Sequence, residues 1–208
     1  MISLCKVCRR WKIICETDCL WKIIPIDEWM ISYIKEDPLA TIMSHSCAFS
    51  YYFSMRNVLI DKSSVALLCQ LAHSCKLAYL DLSHQQLLRS IDFLSKRPSH
   101  SLEYLLLDKC CNLQENSVIK VLKYLTKLRM LSIDGLALSQ ENQFAIAQLP
   151  ALEIFSLGLG GSMLIIEVNE TILQHYPKLL FLKLSCKPSD KLSFKSLCSE
   201  YDVSATFT

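Results

Sequence analysis

Apolar residues return along this chain with one fixed spacing, Leu-x-x-Leu-x-Leu, between stretches where they return every three or four positions. The sextets read Leu77-Ala-Tyr-Leu80-Asp-Leu82, Leu102-Glu-Tyr-Leu105-Leu-Leu107, Leu128-Arg-Met-Leu131-Ser-Ile133, Leu152-Glu-Ile-Phe155-Ser-Leu157 and Leu179-Leu-Phe-Leu182-Lys-Leu184. Their first positions lie 25, 26, 24 and 27 residues apart. Alternation inside each sextet has the period of a strand with one buried face. After Asp61, the positions Val65, Leu68, Ala72 and Cys75 fall at helical intervals. Asn116 is the expected N-cap of a helix with Val118, Val121, Leu122 and Leu125 inward and Lys120 and Lys123 outward. Ser139 caps the helix that holds Phe144 and Ala147 and stops at Pro150. Asn169 caps another, with Leu173 and Tyr176 inward and Pro177 as the stop. Ser90 to Lys96 makes a shorter helical turn, and a last helix carries Phe194, Leu197, Cys198 and Tyr201 on one face. That last helix is placed to cover the open end of the stack.

A strand-and-helix unit recurring at this interval cannot bury its own apolar edge, so its neighbours must stack on it. The period resembles that of leucine-rich repeats. The expected fold is an α/β leucine-rich-repeat solenoid over residues 51–208, with a parallel sheet on the concave face and helices on the convex face. Five repeats are clear, and Met55 to Ile60 holds a sixth, degenerate strand. Residues 25–50, with helical spacing at Ile31 to Ile34 and Leu39 to Ile42, form a connecting or degenerate first repeat. Gly is scarce and no Ser/Gly-rich linker or single-sign charge block interrupts the pattern.

In this register, positions one, four and six of each sextet face the core, and positions three, five and seven face the concave side. Position three reads Tyr79, Tyr104, Met130, Ile154 and Phe181, all large. With strands about 4.8 Å apart, they form one stripe, the pattern of an interaction surface. The same stripe could instead serve stability alone, by stacking along the ladder or by being covered by residues 202–208. Position five adds Asp81, Leu106, Ser132, Ser156 and Lys183; position seven adds Ser83, Asp108, Asp134, Gly158 and Ser185. Asp81, Asp108 and Asp134 on successive repeats make that half of the surface acidic. Cys110 stands where cysteine-containing repeats bury a thiol against the turn backbone.

Composition removes several alternatives. Charges nearly cancel, at +2, which argues against a protein that wraps phosphate backbones. No apolar run reaches the roughly 18 residues of a membrane span, and Met1 to Arg10 reverses the charge order of a secretory signal. The 51% apolar content is what a stack of two-sided repeats requires. Eleven cysteines, an odd number scattered through predicted strands and helices, read as reduced thiols in the cytosol or nucleus.

Residues 4–21 contain Leu4-Cys-Lys-Val7-Cys8-Arg-Arg-Trp11, then an acidic break at Asp18 and the pair Leu20-Trp21. Leu4, Val7, Cys8 and Trp11 fall on one helical face. This segment resembles the second half of an F-box, and the layout with repeats behind it is that of the F-box/leucine-rich-repeat family. The resemblance assigns residues 1–24 to a partial F-box that lacks the family's leading Leu-Pro helix. It implies a non-catalytic substrate receptor of a Skp–cullin–F-box ubiquitin ligase, with no cofactor. Leu4, Val7, Cys8, Trp11, Leu20 and Trp21 would then contact the Skp-type adaptor, which connects to the cullin complex. A protein target would lie on the repeat face, at Tyr79, Asp81, Tyr104, Leu106, Asp108, Met130, Asp134, Ile154, Phe181 and Lys183. The alternative is a repeat scaffold, assembly or regulatory protein whose two tryptophans only pack the first helices against the stack.

Other chemistry is less well supported by spacing. Cys5-x-x-Cys8 with Cys15 and Cys19 resembles a zinc set, but Lys6 and Val7 lie inside the amphipathic helix where a knuckle needs a turn. Cys69, His73 and Cys75 lack a fourth ligand. Cys110-Cys111 with His84 or His100 lacks an orienting third residue. Gly158-Leu-Gly160-Gly161 lacks the Lys-Ser/Thr of a phosphate loop.

Overall fold

The computed structural model describes residues 22–26, 51–57, 68, 77–96, 101–136, 138–158, 173, 178–185 and 191–207. Among these residues eight strands lie in one all-parallel sheet, in the order of the chain: β1 (Ile23–Ile26), β2 (Tyr52–Met55), β3 (Tyr79–Asp81), β4 (Tyr104–Leu106), β5 (Met130–Ser132), β6 (Ile154–Gly158), β7 (Phe181–Ser185) and β8 (Ser204–Phe207). Four helices are described between them: α1 (Phe93–Lys96), α2 (Glu115–Leu122), α3 (Gln140–Ala147) and α4 (Lys191–Glu200). One strand per turn, always advancing to the next place in the sheet, is a solenoid-like α/β arrangement.

The register repeats without slippage. Tyr52, Tyr79, Tyr104, Met130, Ile154, Phe181 and Ser204 are successive Cα partners, and Phe53, Leu80, Leu105, Leu131, Phe155, Leu182 and Ala205 form the adjacent row. A one-residue slip would turn the core row to the other face. Leu80, Leu105, Leu131 and Phe155 are fully or almost fully buried, as are Leu77, Leu102, Leu128 and Leu152 at position one. They form one continuous core with Val118, Val121, Leu122 and Leu125 from the α2 region and Ile146 and Ala147 from α3. Leu68 and Leu173, both helical, are buried in the same core.

Two backbone columns knit the units together. The carbonyl at position two accepts from two amides of the next unit: Lys22 from Tyr51 and Tyr52, Tyr51 from Ala78 and Tyr79, and so on to Glu153 from Leu180 and Phe181. At the other strand end, position eight turns through a left-handed conformation, at Asn57, His84, Lys109 and Gly135. This lets Asn57, His84 and Lys109 donate to the position-seven carbonyls of Ser83, Asp108 and Asp134, at 3.1, 2.7 and 2.6 Å. Gly and Asn suit that conformation; His and Lys hold it at a cost that the ladder bond offsets.

Several expectations change at this level. The degenerate strand lies at Tyr52–Met55, ahead of the expected Met55–Ile60, because Phe53 and Met55 are the two apolar residues with the core alternation. Residues 204–207 do not lie over the sheet; they join it as β8. Helix α2 begins one residue before Asn116, with Gln114 as N-cap and no side-chain cap bond. Its inward and outward faces are as expected. Ser139 does cap α3, its Oγ accepting from the amide of Asn142 at 3.4 Å, while Phe144 stays 44% exposed. On α4, Cys198 is buried and Tyr201, just beyond the helix, packs on the core, next to β8. The helical spacings at residues 31–34 and 39–42, and the cap at Asn169, lie outside the described residues. The boundary after residue 24 falls inside β1.

Candidate functional site

Position three forms an unbroken row across the exposed side of the sheet. Tyr79, Tyr104, Met130, Ile154 and Phe181 are each half-buried, and β2 extends the row with Tyr52. Flanking strands shade their sides and leave their ends in solvent. The tyrosine end is ordered by its rings. Tyr52 and Tyr79 stack with centroids 4.1 Å apart and planes 12° off parallel; Tyr79 and Tyr104 are tilted, at 6.0 Å and 32°. Burial, a hydrogen bond with Tyr52 and the charge of Asp81 all push the Tyr79 phenol well above its usual range, so it stays protonated at physiological pH.

Position five forms a trough beside this ridge. Ser54, Asp81, Ser132 and Ser156 are buried there, whereas Leu106 and Lys183 are half-buried. Small side chains between large neighbours lose contact with water even on an open sheet face. Asp81, 3% exposed, is therefore not an open acidic contact. Its carboxylate accepts from the amide of Ser83 at 2.9 Å and from Ser54 Oγ at 3.5 Å, and it faces Arg56 Nε at 3.5 Å. Asp108 reaches into the next unit, accepting from Ser132 Oγ at 2.6 Å and from the amide of Asp134 at 2.9 Å. Asp134 is half-buried beside it. The carboxylates of Asp81 and Asp108 thus brace the turns, and Arg56 offsets part of the charge of Asp81.

At position nine, side chains bond back to the preceding unit. Gln85 Nε2 donates to the carbonyl of Met55, and Cys110 Sγ donates to the carbonyl of Leu82 at 3.1 Å. Cys110 is buried and bonds the turn, as its place in the repeat led us to expect. Burial raises its thiol to about 11, so it persists as a donor and is a poor nucleophile at neutral pH. Cys111 is exposed.

Position two was not singled out in the sequence, although three successive units place Glu103, Arg129 and Glu153 there, alternating in charge. Arg129 lies between Glu103 at 3.8 Å and Glu153 at 2.8 Å. The contact with Glu153 holds that carboxyl below, and the guanidinium above, the ordinary range. With Thr126, Lys127, Ala151 and Lys178 they line a shallow cleft of about 320 Å³ at the edge of the exposed face.

The structure thus brings the ten repeat-face residues onto one side of one sheet or its adjoining turns. Leu4, Val7, Cys8, Trp11, Leu20 and Trp21 lie outside the described residues, as do Cys5, Cys15, Cys19, Cys69, His73, Cys75 and His100. Among the described residues no group of three His, Cys, Asp or Glu is placed to hold a metal ion. No described helix is long and apolar enough to cross a membrane. Comparison of the sequence with protein-family models and with curated proteins finds no match.

Proposed function

We propose that this chain is a leucine-rich-repeat receptor that binds a protein on the exposed face of its sheet. In the fuller reading it is the non-catalytic substrate-recognition subunit of a Skp–cullin–F-box ubiquitin ligase. The observation that carries the binding role is the unbroken row from Tyr52 to Phe181: large, half-exposed side chains in register on six strands. Rigid aromatic side chains on a fixed frame lose little entropy when a partner covers them. The ligase role is supported by the F-box-like sequence, in which the spacing of Leu4, Val7, Cys8 and Trp11 is that of one apolar helical face, a pattern suited to a groove. Cytosol and nucleus are the compartments that fit such a ligase and its reduced thiols.

One observation favours the scaffold alternative. Trp21 stands two residues before Ile23, the spacing that separates Leu77 from Tyr79. By that spacing alone Trp21 falls at motif position one of the first unit, a place where the later units carry a core leucine, which favours packing over an adaptor contact. The two readings separate in a pull-down with a purified Skp-type adaptor, using the chain with and without a Leu-Pro helix fused ahead of Met1. Retention that Trp11→Ala abolishes supports the ligase receptor. Absence of retention in both forms rejects it and leaves the scaffold.

A further inference from the structure

We propose that β8 is a self-association edge: two copies of this chain pair antiparallel through Ser204–Phe207, about a twofold axis at Thr206. Parallel ladders alternate the direction of successive backbone groups. The Ser204 amide donates to the Leu180 carbonyl, with Ser204 opposite Phe181. Ser204 and Thr206 therefore direct their backbone groups at β7. Ala205 and Phe207 direct theirs away from it, and among the described residues β8 pairs with β7 alone.

The two edges of the sheet are built differently. On β1, the Tyr52 amide donates to the Lys22 carbonyl, with Ile23 opposite Tyr52. The same alternation directs residues 23 and 25 outward, and residue 25 is a proline. Its missing amide falls on the outer side, a standard device against edge-to-edge pairing. Residues 203–207, Val-Ser-Ala-Thr-Phe, contain no proline and no charge. Among the described residues that edge has neither the proline nor the charge that usually blocks pairing.

Its register also suits a second copy. With Thr206 on the axis, Ala205 of one chain faces Phe207 of the other, and the reverse. Both residues are of the outward set, so each pair exchanges two N–H···O bonds. Thr206 meets Thr206 at the centre as a non-hydrogen-bonded pair, a favourable cross-strand combination, and the Thr206 side chain is exposed. No like charges meet. Opposed residues of an antiparallel pair point to the same side, so the exposed faces of the two copies would run into one continuous surface. This inference is independent of whether that surface binds a ligase target.

Sedimentation of the full 208-residue chain over a wide concentration range is the test. The average mass should rise from one chain toward two. Ala205→Pro should weaken the dimer roughly tenfold or more, since it removes two of the bonds across the axis. It should leave circular dichroism unchanged, because the Ala205 amide is not used in the β7 ladder. Thr206→Lys keeps every backbone group and places like charges on the axis, so it should also dissociate the dimer. A single-chain mass at every concentration overturns the proposal. So does a dimer indifferent to both substitutions, which would place the contact elsewhere.

Discussion

The two halves of the exposed face use one backbone frame but hold it in different ways. Around β2, β3 and β4 the bracing is polar and aromatic. Tyrosine rings stack, Asp81 ties Ser54, Ser83 and Arg56 together, and Gln85 and Cys110 bond back to the preceding unit. Around β5, β6 and β7 the corresponding places are filled by Met130, Ile154 and Phe181 above Ser132, Ser156 and Lys183, and Leu136 stands where Gln85 and Cys110 do. Leu136 is buried at 7% exposure: its side chain fills the turn by packing and has no donor to offer. The position-two carbonyl column runs through both halves alike, while among the described residues the turn column extends from Asn57 to Asp134. Stacking therefore requires the ladder and the core row, while the means of closing each turn are interchangeable.

The sharpest test of this contrast is Asp81→Ala against Lys183→Ala, two changes at the same motif position. Removing Asp81 leaves the buried Ser83 amide without its acceptor and Arg56 without its carboxylate. A charged hydrogen bond at a buried site is worth about 1.5–3 kcal/mol, so a loss of about 2–3 kcal/mol is expected. Among the described residues Lys183 has no such partner, and its removal should stay within about 0.5 kcal/mol. Urea unfolding of both variants decides the matter. Equal losses would mean that the two halves are braced alike.

A second test uses pH. The folded Cys110 thiol is raised from 9.0 to about 11, so the native state binds its proton more tightly than the unfolded chain. Stability linked to it is fully present below about pH 9 and is lost as pH climbs toward 11. Two units correspond to about 2–3 kcal/mol, an upper bound for one site among other alkaline titrations. Cys110→Val, close in volume, should lose the hydrogen bond at neutral pH yet show a shallower decline between those values. An unchanged alkaline slope would show that the thiol is not held in its protonated form by the fold.

Much of this arrangement was legible in the sequence because it depends on periodicity. Leucines at positions one, four and six gave the core row and the register of β3 to β7. What stayed hidden had weaker apolar spacing. The β1 and β2 units have no leucine at position one, since Trp21 and Ser50 stand there, and β8 offers only Ala205 in the core row before Phe207. The left-handed turn was masked because His84 and Lys109 are not residues that announce it. The acidic reading of Asp81 failed for a different reason: strand alternation gives the side a residue faces, not whether larger neighbours cover it. Asp81 faces the open side and is buried by them.

The smallest effect separates stability from recognition along the ridge. If the tyrosine end is self-supporting, Tyr52 and Tyr79 should couple in a double-mutant cycle to leucine by about 0.5–1.5 kcal/mol, the range for aromatic pairs. The same cycle on Met130 and Ile154, to alanine, should give a smaller coupling, because aliphatic neighbours on an open face gain little from each other beyond shared area. A strong tyrosine coupling would make the β2–β4 end the stable platform. The aliphatic end, with less to lose internally, would then be where covering by a partner yields the larger gain. Absence of coupling at both ends would leave the whole row to recognition, and truncating any member would weaken partner binding without moving the unfolding midpoint.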